Sequence, residues 1–488
     1  MTQAEHDKER SKRRTMGVHL TSSETFEAYI YPEIEDKLYE YLWIDLYAGE
    51  GNLVFPILEK IPKKKREYFF KEHIFLSDIQ EKMVQKCIDT AISYGISEEM
   101  AKMNIKKRNN LKKFPKFLKE KKFPLYHITN PPYLYLGYIR KHEETKQHLK
   151  YFEHQNEGYQ DLYQIAMIND LRNNVKNLVY IIPTNFLFGS AVSNKFRLDF
   201  LKYYNIEKMY IFEKKIFEFT GTNILIGFFK KKKEPSLEAA NFEAIKFKKN
   251  DKIIERDYHL KSEYKYRAGS EFNVFIDKFK AKKPLKVSYY LTMDDMEENR
   301  GGKRIKVIDT SEYESNQYNQ KILEVNEKLK SKVQSNILYV RTVDTGSYEG
   351  RVGLYNIRDD FDVDGIFVSG NTYRTSPIQI FLEPFISLEK QNLLRKYFNI
   401  ILEYYRDKLD SEFLTTYKYS SSDYTRKYLG LTQTRSIIKT FPILLIENGN
   451  MKKLKEFIEE KEVDKILKLI KQYSKKPPKE SNKITNWF

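Results

Sequence analysis

Short apolar runs alternate with amphipathic stretches along the first half of the chain. The runs are rich in β-branched and aromatic residues and end at Gly, Pro, Asn or Asp, which predicts buried strands. They lie at residues 42–45, 73–78, 103–111, 125–129, 178–183, 209–212 and 223–229. Helical patterns separate several of them, at residues 53–60, 159–167 and 193–203. The alternation predicts an α/β fold with a Rossmann-like, mostly parallel sheet of seven strands, whose last two form an antiparallel hairpin because no helix fits between them.

The pattern changes at residues 230–233, a run of lysines. Beyond it, short mixed segments rich in Tyr, Arg, Asn and Ser replace the alternation, and apolar residues at helical spacing return only near residues 454–470. This change predicts a disordered tail, a first domain, a linker and a mixed α+β domain that ends in an amphipathic helix. Their predicted bounds are 1–12, 13–232, 233–265 and 266–488.

One predicted strand ends in residues that suit catalysis. The run at 125–129 is followed by Asn130, Pro131, Pro132 and Tyr133, at the sheet edge where open α/β folds bind ligands. The Asn130 side chain and the Pro131 carbonyl can accept hydrogen bonds from one amino group and so localise its delocalised lone pair. Pro132 has no N–H to compete, and Tyr133 offers a flat face to a planar group. These catalytic candidates predict methyl transfer to an exocyclic amino group; a proline-rich turn is the alternative.

Two acids close neighbouring predicted strands. Asp45 ends the first strand, and the turn after it contains Gly49 and Gly51, which let the backbone pass close beneath a ligand. Asp78 ends the second strand, where an acid can hold the hydroxyls of a ribose. The turn lacks the Gly-Lys-Ser/Thr of a phosphate loop and the third glycine of a dinucleotide loop. We therefore expect a cofactor with a ribose and an ammonium group, although each acid alone could be a solvated strand end.

Composition restricts the partners and the compartment. The formal net charge of +18 favours a polyanionic partner, with lysine-rich solubility as the alternative. The single cysteine, Cys87, excludes an intramolecular disulfide and a cysteine-rich zinc site, and no metal site is predicted. No apolar run is long enough to span a bilayer, and the N-terminus has no apolar core. These features predict a soluble, cytoplasmic protein.

Two segments, in this order, resemble a known family. Residues 45–51, Asp-Leu-Tyr-Ala-Gly-Glu-Gly, are similar to the cofactor loop of the amino-group DNA methyltransferases that accompany restriction enzymes, and residues 130–133 to their catalytic motif. The order is that of the gamma group, and the resemblance covers about residues 12–232. It implies the seven-stranded methyltransferase sheet followed by a DNA-recognition domain. It also implies a site-specific methyltransferase that moves a methyl group from S-adenosyl-L-methionine to adenine N6, because Asn-Pro-Pro-Tyr is less typical of cytosine targets.

The resemblance further implies the roles of individual residues. The cofactor-binding residues would be Thr21, Asp45, Tyr47, Gly49, Gly51, Asp78 and, in place of the usual third-strand acid, Asn109 or Asn110. Thr21 would lie near the methionine carboxylate and, by its capping-box spacing, would also cap a helix. Residues 161–163 look like the helix that closes the adenine pocket. Around a flipped target base, Tyr133 would be joined by Phe217, with Phe219 as the fallback, from the late motif at 216–223.

Other functions use the same chemistry or the same charge. We expect double-stranded DNA as the partner, a monomer that associates with the nucleoid, and a restriction endonuclease encoded nearby without direct contact. An RNA base methyltransferase or a protein glutamine methyltransferase is the alternative within methyl transfer. A DNA-binding specificity subunit is the non-enzymatic alternative. A fused nuclease would need an acid-bearing strand, whereas the Glu-x-Lys match at 459–461 lies in a helical pattern.

Overall fold

A computed structural model describes residues 21–189, 192–214, 216, 223–344, 351–372, 375–416 and 427–475. The chain forms two compact units, residues 1–268 and 269–488. The tail predicted at 1–12 lies outside the described residues.

The first unit is built on one nine-stranded sheet. Its strands are β1 (Leu42–Asp45), β2 (Ile74–Asp78), β3 (Ile105–Lys107), β4 (Leu125–Thr129), β5 (Asn177–Pro183), β6 (Tyr204–Phe212), β7 (Ile224–Lys231), β8 (Ala240–Phe247) and β9 (Ile253–Leu260). The spatial order is β3-β2-β1-β4-β5-β7-β6-β8-β9. Strands β1 to β5 are parallel, whereas β7 runs antiparallel to both β5 and β6, as the predicted hairpin requires.

Helices and 3-10 turns accompany the strands of this sheet. The helices are α1 (Ser23–Tyr29), α2 (Arg66–His73), α3 (Glu81–Ser93), α4 (Glu98–Asn104), α5 (Leu136–Ile139), α6 (Leu162–Arg172), α7 (Asn185–Phe188) and α8 (Asn194–Leu201). The 3-10 segments are Tyr31–Glu33, Glu35–Lys37, Phe55–Lys60, Lys63–Lys65, Lys116–Glu120, Glu143–Phe152, His154–Asn156 and Ser262–Tyr264. On β5, Leu178 and Tyr180 pack in one apolar cluster while Val179 and Ile181 pack in another. The continuous apolar run of this strand therefore reflects a sheet covered on both faces.

The first unit is longer than predicted. Strands β8 and β9 fill most of the segment that was predicted to be a linker at 233–265, and the sheet therefore has nine strands instead of seven. Their side chains alternate between exposed and more buried positions, with Glu and Asp among the exposed ones. A half-buried edge hairpin of this kind lacks the apolar run that identified the inner strands. The first unit therefore continues to residue 268.

Several local predictions also needed correction. The third strand, predicted at 103–111, is only Ile105–Lys107, because the preceding residues end α4. The Asn104 side chain there donates to the carbonyls of Phe70, Lys71 and Ile74, which ties the helix end to its neighbours. The helix predicted at 53–60 is a 3-10 segment from Phe55. The N-cap position of α1 is Ser22, one residue after the predicted Thr21.

The described residues of the second unit form three smaller sheets. Its strands are β10 (Lys286–Tyr289), β11 (Lys303–Glu314), β12 (Gln317–Val325), β13 (Leu338–Arg341), β14 (Gly353–Asn356), β15 (Gly365–Phe367), β16 (Ile378–Glu383), β17 (Thr415–Thr416) and β18 (Lys427–Tyr428). The spatial orders are β10-β16-β13-β14, β12-β11-β15 and β17-β18. The helices are α9 (Glu271–Phe279), α10 (Met293–Glu298), α11 (Glu327–Ser335), α12 (Ile357–Phe361), α13 (Leu388–Lys408), α14 (Leu431–Ile438), α15 (Asn448–Glu459) and α16 (Val463–Ile470), followed by a 3-10 turn at Lys471–Tyr473.

This unit has its own apolar core around α13. The terminal segment, predicted as one amphipathic helix, is two helices, α15 and α16, separated at Lys461, which has a φ of 58°. The apolar residues at helical spacing pack as expected, since Leu454, Ile458, Ile466 and Ile470 are buried. Within the described ranges, no helix is both long and apolar enough to cross a membrane.

Candidate active site

A cavity of about 370 Å³ lies at the carboxyl ends of β1, β2 and β4. This is the edge of a parallel sheet where ligands bind in open α/β folds. The predicted site residues that line it are Thr21, Asp45, Tyr47, Gly49, Asp78, Asn109, Asn110, Asn130 and Pro132. Residues far apart in sequence, predicted for cofactor binding and for catalysis, therefore share one cavity.

Five predicted residues are not part of this lining. Phe217 and Phe219 lie outside the described residues. Pro131 is buried, and Tyr133 packs in the apolar core. Gly51 has a φ of 82°, and a Cβ atom there would lie 2.2 Å from the Phe55 ring. The turn after β1 thus requires glycine at this position for its shape.

The Asn130 side chain is held at both ends of its amide. Its Nδ2 donates to Thr21 Oγ1 at 2.9 Å, and its Oδ1 accepts a hydrogen bond from the Tyr133 hydroxyl. The same hydroxyl lies 2.7 Å from the carbonyl oxygen of Ile181 on β5. The predicted contact of Thr21 with a methionine carboxylate stays a prediction; in the structure Thr21 orients the Asn130 amide.

The prediction that Tyr133 presents a flat face needs correction. Its side chain is only 7% exposed and packs in the core of the first unit, away from the cavity surface. Burial raises the pKa of its hydroxyl well above the usual value, so the group stays protonated and can donate. Tyr133 thus acts on Asn130 through its hydroxyl, while its ring fills the core. The motif sequence alone did not distinguish a stacking ring from a packing ring.

Asp45 is a buried carboxylate at the end of β1. Its Oδ1 accepts hydrogen bonds from Thr129 Oγ1 at 2.6 Å and from the Tyr47 backbone N–H at 3.0 Å. Burial raises the pKa of Asp45 to about 6, although these hydrogen bonds oppose the shift. Burial likewise raises the pKa of the Tyr47 hydroxyl. An acid with a pKa near 6 is negatively charged at neutral pH and can pair with an ammonium group in the cavity.

Asp78 stabilises the glycine turn. Its Oδ2 accepts from the Gly49 N–H at 3.0 Å and its Oδ1 accepts from the Gln80 N–H at 2.8 Å. Burial raises the pKa of its carboxyl group. A carboxylate has about four lone-pair sites, and the backbone N–H groups of Gly49, Gln80 and Ile79 use part of them, so acceptor capacity remains for a ligand hydroxyl. This geometry fits the predicted contact with a ribose.

The structure distinguishes Asn109 from Asn110. Asn109 Nδ2 donates to the Tyr151 hydroxyl at 2.8 Å, and its Oδ1 accepts from the Lys112 N–H at 3.2 Å. Asn110 is 3% exposed, and its Nδ2 donates to Leu46 O and Ser77 Oγ. No described residue donates to its buried Oδ1. A buried acceptor without a donor is costly, so Asn110 has the better geometry for binding an amine of a ligand.

Sequence reasoning missed one wall of the cavity. Gln147, His148, Lys150 and Tyr151 line it from the 3-10 segment Glu143–Phe152, which had been predicted only as a loop and helix. The sequence carries no periodic or motif signal there, because the contribution depends on how the segment folds back. Leu162, the first residue of α6, also lines the cavity. The residue before it, Asp161, accepts from the Leu134 N–H at 2.9 Å and so fixes the backbone directly after the Asn-Pro-Pro-Tyr motif.

A protein-family model matches the part of the chain that contains most of the cavity lining. Residues 33–217 match the family described as Eco57I restriction-modification methylase. This segment contains β1 to β6 and every residue of the cavity lining except Thr21. No curated protein matches the chain.

Solved structures of restriction-modification proteins align with the chain at low sequence identity. The type IIL restriction-modification enzyme MmeI in complex with DNA aligns over 96% of this chain and 78% of that chain, with a TM-score of 0.52 and 11% identity. The type IIG restriction endonuclease BpuSI aligns over 96% and 68%, with a TM-score of 0.40 and 12% identity. A modification subunit of a putative type I restriction enzyme from Vibrio vulnificus YJ016 aligns over 50% of each chain, with a TM-score of 0.35 and 15% identity.

The match to MmeI supports the fold alone. The chain spans half the length of the Vibrio protein. The family match covers both sequence motifs and the whole cavity lining except Thr21. The resemblance to restriction-modification methylases that those two motifs predict is therefore confirmed for residues 33–217.

Proposed function

We propose that the chain is an S-adenosyl-L-methionine-dependent DNA methyltransferase of a restriction-modification system that acts on adenine N6. The observation that carries this proposal is the shared cavity. Asn130 and Pro132 of the catalytic motif line it together with Asp45, Asp78 and Asn110. A methyl donor held by the three cofactor residues would thus lie beside the group that binds the acceptor.

The lining fits the cofactor group by group. The Asp78 carboxylate accepts from the ribose hydroxyls, and the buried Asn110 Oδ1 accepts from the adenine amino group. The charged Asp45 would pair with the ammonium group, and Thr21 would bind the methionine carboxylate. S-adenosyl-L-methionine supplies an electrophilic methyl group when bound. Asp78 and Asn110 thereby fix the adenosine end, while Asp45 and Thr21 fix the end near Asn130.

Asn130 prepares the acceptor nitrogen. Its Oδ1 has two lone pairs, so it can accept from the target amino group as well as from Tyr133. Together with the Pro131 carbonyl, this draws the nitrogen toward tetrahedral geometry and localises its lone pair. The Thr21 contact holds the amide so that Oδ1 keeps its direction. No strong base is required, because the methylated nitrogen is acidic and releases its proton to water.

The target adenine must leave the DNA stack to reach this cavity. Extrusion of a base costs a few kcal/mol, and stacking on aromatic side chains recovers about 1–3 kcal/mol per contact. Phe217, or Phe219 as the fallback, is assigned to this role by motif resemblance. Tyr133, whose ring is buried, supports the target through Asn130. We place duplex recognition in residues 269–488 and expect a monomer in the cytoplasm, with any restriction endonuclease as a separate protein.

Alternative activities share only parts of this site. An RNA or glutamine methyltransferase would use the same Asn-Pro-Pro-Tyr chemistry, and a specificity subunit would use the basic charge without the cavity. The Glu-x-Lys match of a nuclease lies at the end of α15, where Glu459 is the last helical residue and Lys461 begins the turn. Since that position is not on a strand, we do not propose nuclease activity for this segment.

The first test is the identity of the methylated nucleoside. The purified chain is incubated with labelled S-adenosyl-L-methionine and either unmethylated duplex DNA or RNA, and digests are analysed by mass spectrometry. We expect N6-methyladenine from DNA. N4-methylcytosine would contradict the adenine assignment, and transfer only to RNA would contradict DNA as the substrate.

The second test is Asn130→Ala. We expect loss of turnover with duplex affinity nearly unchanged, because Asn130 acts on the amino group as charge develops. Asn241→Ala, which changes an exposed asparagine on β8, is the matched control and should keep full activity. An active Asn130→Ala enzyme would contradict the mechanism.

A further inference from the structure

Three buried side chains form a hydrogen-bonded relay below the cavity. His127 on β4 and Tyr180 on β5 are 0% exposed, and Asp170 on α6 is 1% exposed. Asp170 Oδ2 lies 2.6 Å from His127 Nδ1 and accepts from the Tyr180 hydroxyl at 2.5 Å. None of the three lines the cavity. The roles assigned above to the active site therefore do not account for this polar cluster.

The other nitrogen of the imidazole binds the cofactor loop. His127 Nε2 lies 3.2 Å from the backbone nitrogen of Leu46, which donates to it. A backbone N–H can only donate, so Nε2 must carry a lone pair. The proton of a neutral imidazole is then on Nδ1, where it donates to Asp170. Asp170 thus selects the tautomer in which His127 can accept from Leu46.

His127 contacts the loop after β1, and part of this loop lines the cavity. Its ring also stacks on the Tyr47 ring, with centroids 6.2 Å apart. The carbonyl of Leu46 accepts from Asn110 Nδ2, so both backbone polar groups of Leu46 are hydrogen-bonded. Two residues further along β4, Thr129 donates to Asp45. The strand that presents Asn130 therefore also positions the loop between Asp45 and Gly49.

We propose that His127, held in one tautomer by Asp170 and Tyr180, is a positioning residue that fixes the cofactor loop relative to the catalytic Asn130. The Nε2 atom of His127 accepts from the Leu46 N–H. This hydrogen bond keeps the loop residues Asp45 and Tyr47 in the positions from which they bind the cofactor. This role rests on the proposed function, because it assigns S-adenosyl-L-methionine to the cavity. It adds a residue that contacts neither the cavity nor the reacting groups.

Two substitutions separate the two nitrogens of the imidazole. His127→Gln can place an amide oxygen near the position of Nε2, where it accepts from Leu46. His127→Asn can place an amide nitrogen near the position of Nδ1, where it donates to Asp170, but has nothing that reaches Leu46. Both replace a buried ring by a smaller amide, and they differ from each other by one methylene group, whose burial contributes to folding stability. Binding of S-adenosyl-L-methionine to the full chain is measured by calorimetry, and folding is checked by thermal unfolding.

We expect His127→Asn to raise the dissociation constant roughly tenfold or more and His127→Gln to raise it about threefold or less, since one hydrogen bond to a buried backbone group is lost only in the first. Folded variants with equal affinities would overturn the proposal, because packing alone would then explain the effect. An unchanged affinity in His127→Asn would also overturn the proposal.

A measurement on the unaltered chain covers the case in which the variants do not fold. Nitrogen-15 chemical shifts of labelled histidine distinguish protonated from unprotonated ring nitrogens, and we expect His127 to carry its proton on Nδ1 with Nε2 bare. A proton on Nε2 would overturn the proposal, because Nε2 could then not accept from the Leu46 N–H. If the unaltered chain does not bind S-adenosyl-L-methionine, the proposed function fails. If it binds and the two variants do not differ, only the positioning role fails.

Discussion

At the residue scale, the burial of Asp45 links stability to pH. Its folded pKa of about 6 lies above the ordinary value of 3.8 for an aspartic acid side chain, so the folded chain holds this proton more tightly than the unfolded chain. The tighter proton binding stabilises the folded chain relative to the unfolded chain, and this stabilisation is fully present below pH 3.8. It is lost as the pH rises to about 6. Above that pH, the buried negative charge costs on the order of 2–3 kcal/mol of folding free energy.

We therefore expect Asp45→Asn to increase the free energy of unfolding at pH 8 and to change it little at pH 4. The amide oxygen can still accept from Thr129 and Tyr47, so only the charge is removed. Urea denaturation at both pH values measures the difference. The same variant should bind S-adenosyl-L-methionine much more weakly at pH 8, because the partner of the ammonium group is lost. Equal stability gains at both pH values would contradict this account.

Asp78 combines two functions that two substitutions can separate. Asp78→Ala removes the acceptor for the Gly49 and Gln80 N–H groups as well as for the ribose. Asp78→Asn keeps one acceptor oxygen and removes the charge. Hydrogen bonds to charged groups contribute about 1.5–3 kcal/mol each, so cofactor affinity should fall in both variants and further in Asp78→Ala. Calorimetry measures the affinity of each variant for S-adenosyl-L-methionine. An unchanged affinity in Asp78→Ala would mean that the ribose binds elsewhere.

At the element scale, the segment Glu143–Phe152 closes one wall of the cavity. The Tyr151 hydroxyl accepts from Asn109 Nδ2 at 2.8 Å and connects this segment to the loop after β3. Tyr151→Phe should weaken binding of S-adenosyl-L-methionine roughly two- to tenfold, since a typical hydrogen bond contributes about 0.5–1.5 kcal/mol. Tyr159→Phe is the matched control: its hydroxyl contacts Asp199 at 2.9 Å, and the residue does not line the cavity. Equal losses in both variants would contradict a specific role for this wall.

At the scale of the whole molecule, the division at residue 268 defines a testable fragment. Residues 269–488 have their own apolar core, whereas a fragment starting at residue 240 would carry β8 and β9 without their sheet. We expect the 269–488 fragment to bind duplex DNA. Its affinity should fall by roughly two orders of magnitude between about 50 and about 200 mM salt if about four phosphates are neutralised. Gel-shift titrations measure this, with fragment 21–268 as the comparison. Duplex binding found only in 21–268 would contradict the assignment.

The sequence alone determined the features that depend on local chemistry. Strands β1, β2, β4 and β5 were predictable because an apolar run between turn residues is a local pattern, and their polar ends identified Asp45, Asp78 and Asn130. Parallel strands bring their carboxyl ends to one edge, so the shared location of these residues also followed. The edge hairpin of β8 and β9 was missed, because half-buried strands carry charged residues on their exposed faces.

Tertiary structure determined those features of the site that depend on contacts between residues distant in sequence. Asn109 and Asn110 are adjacent and chemically identical, and only the contacts to Tyr151 and Leu46 show which one keeps an acceptor for a ligand. The buried ring of Tyr133 and the relay through His127 likewise depend on strands and helices packed around them. Burial and hydrogen-bond partners are properties of the folded neighbourhood, so no reading of the local sequence could have supplied them.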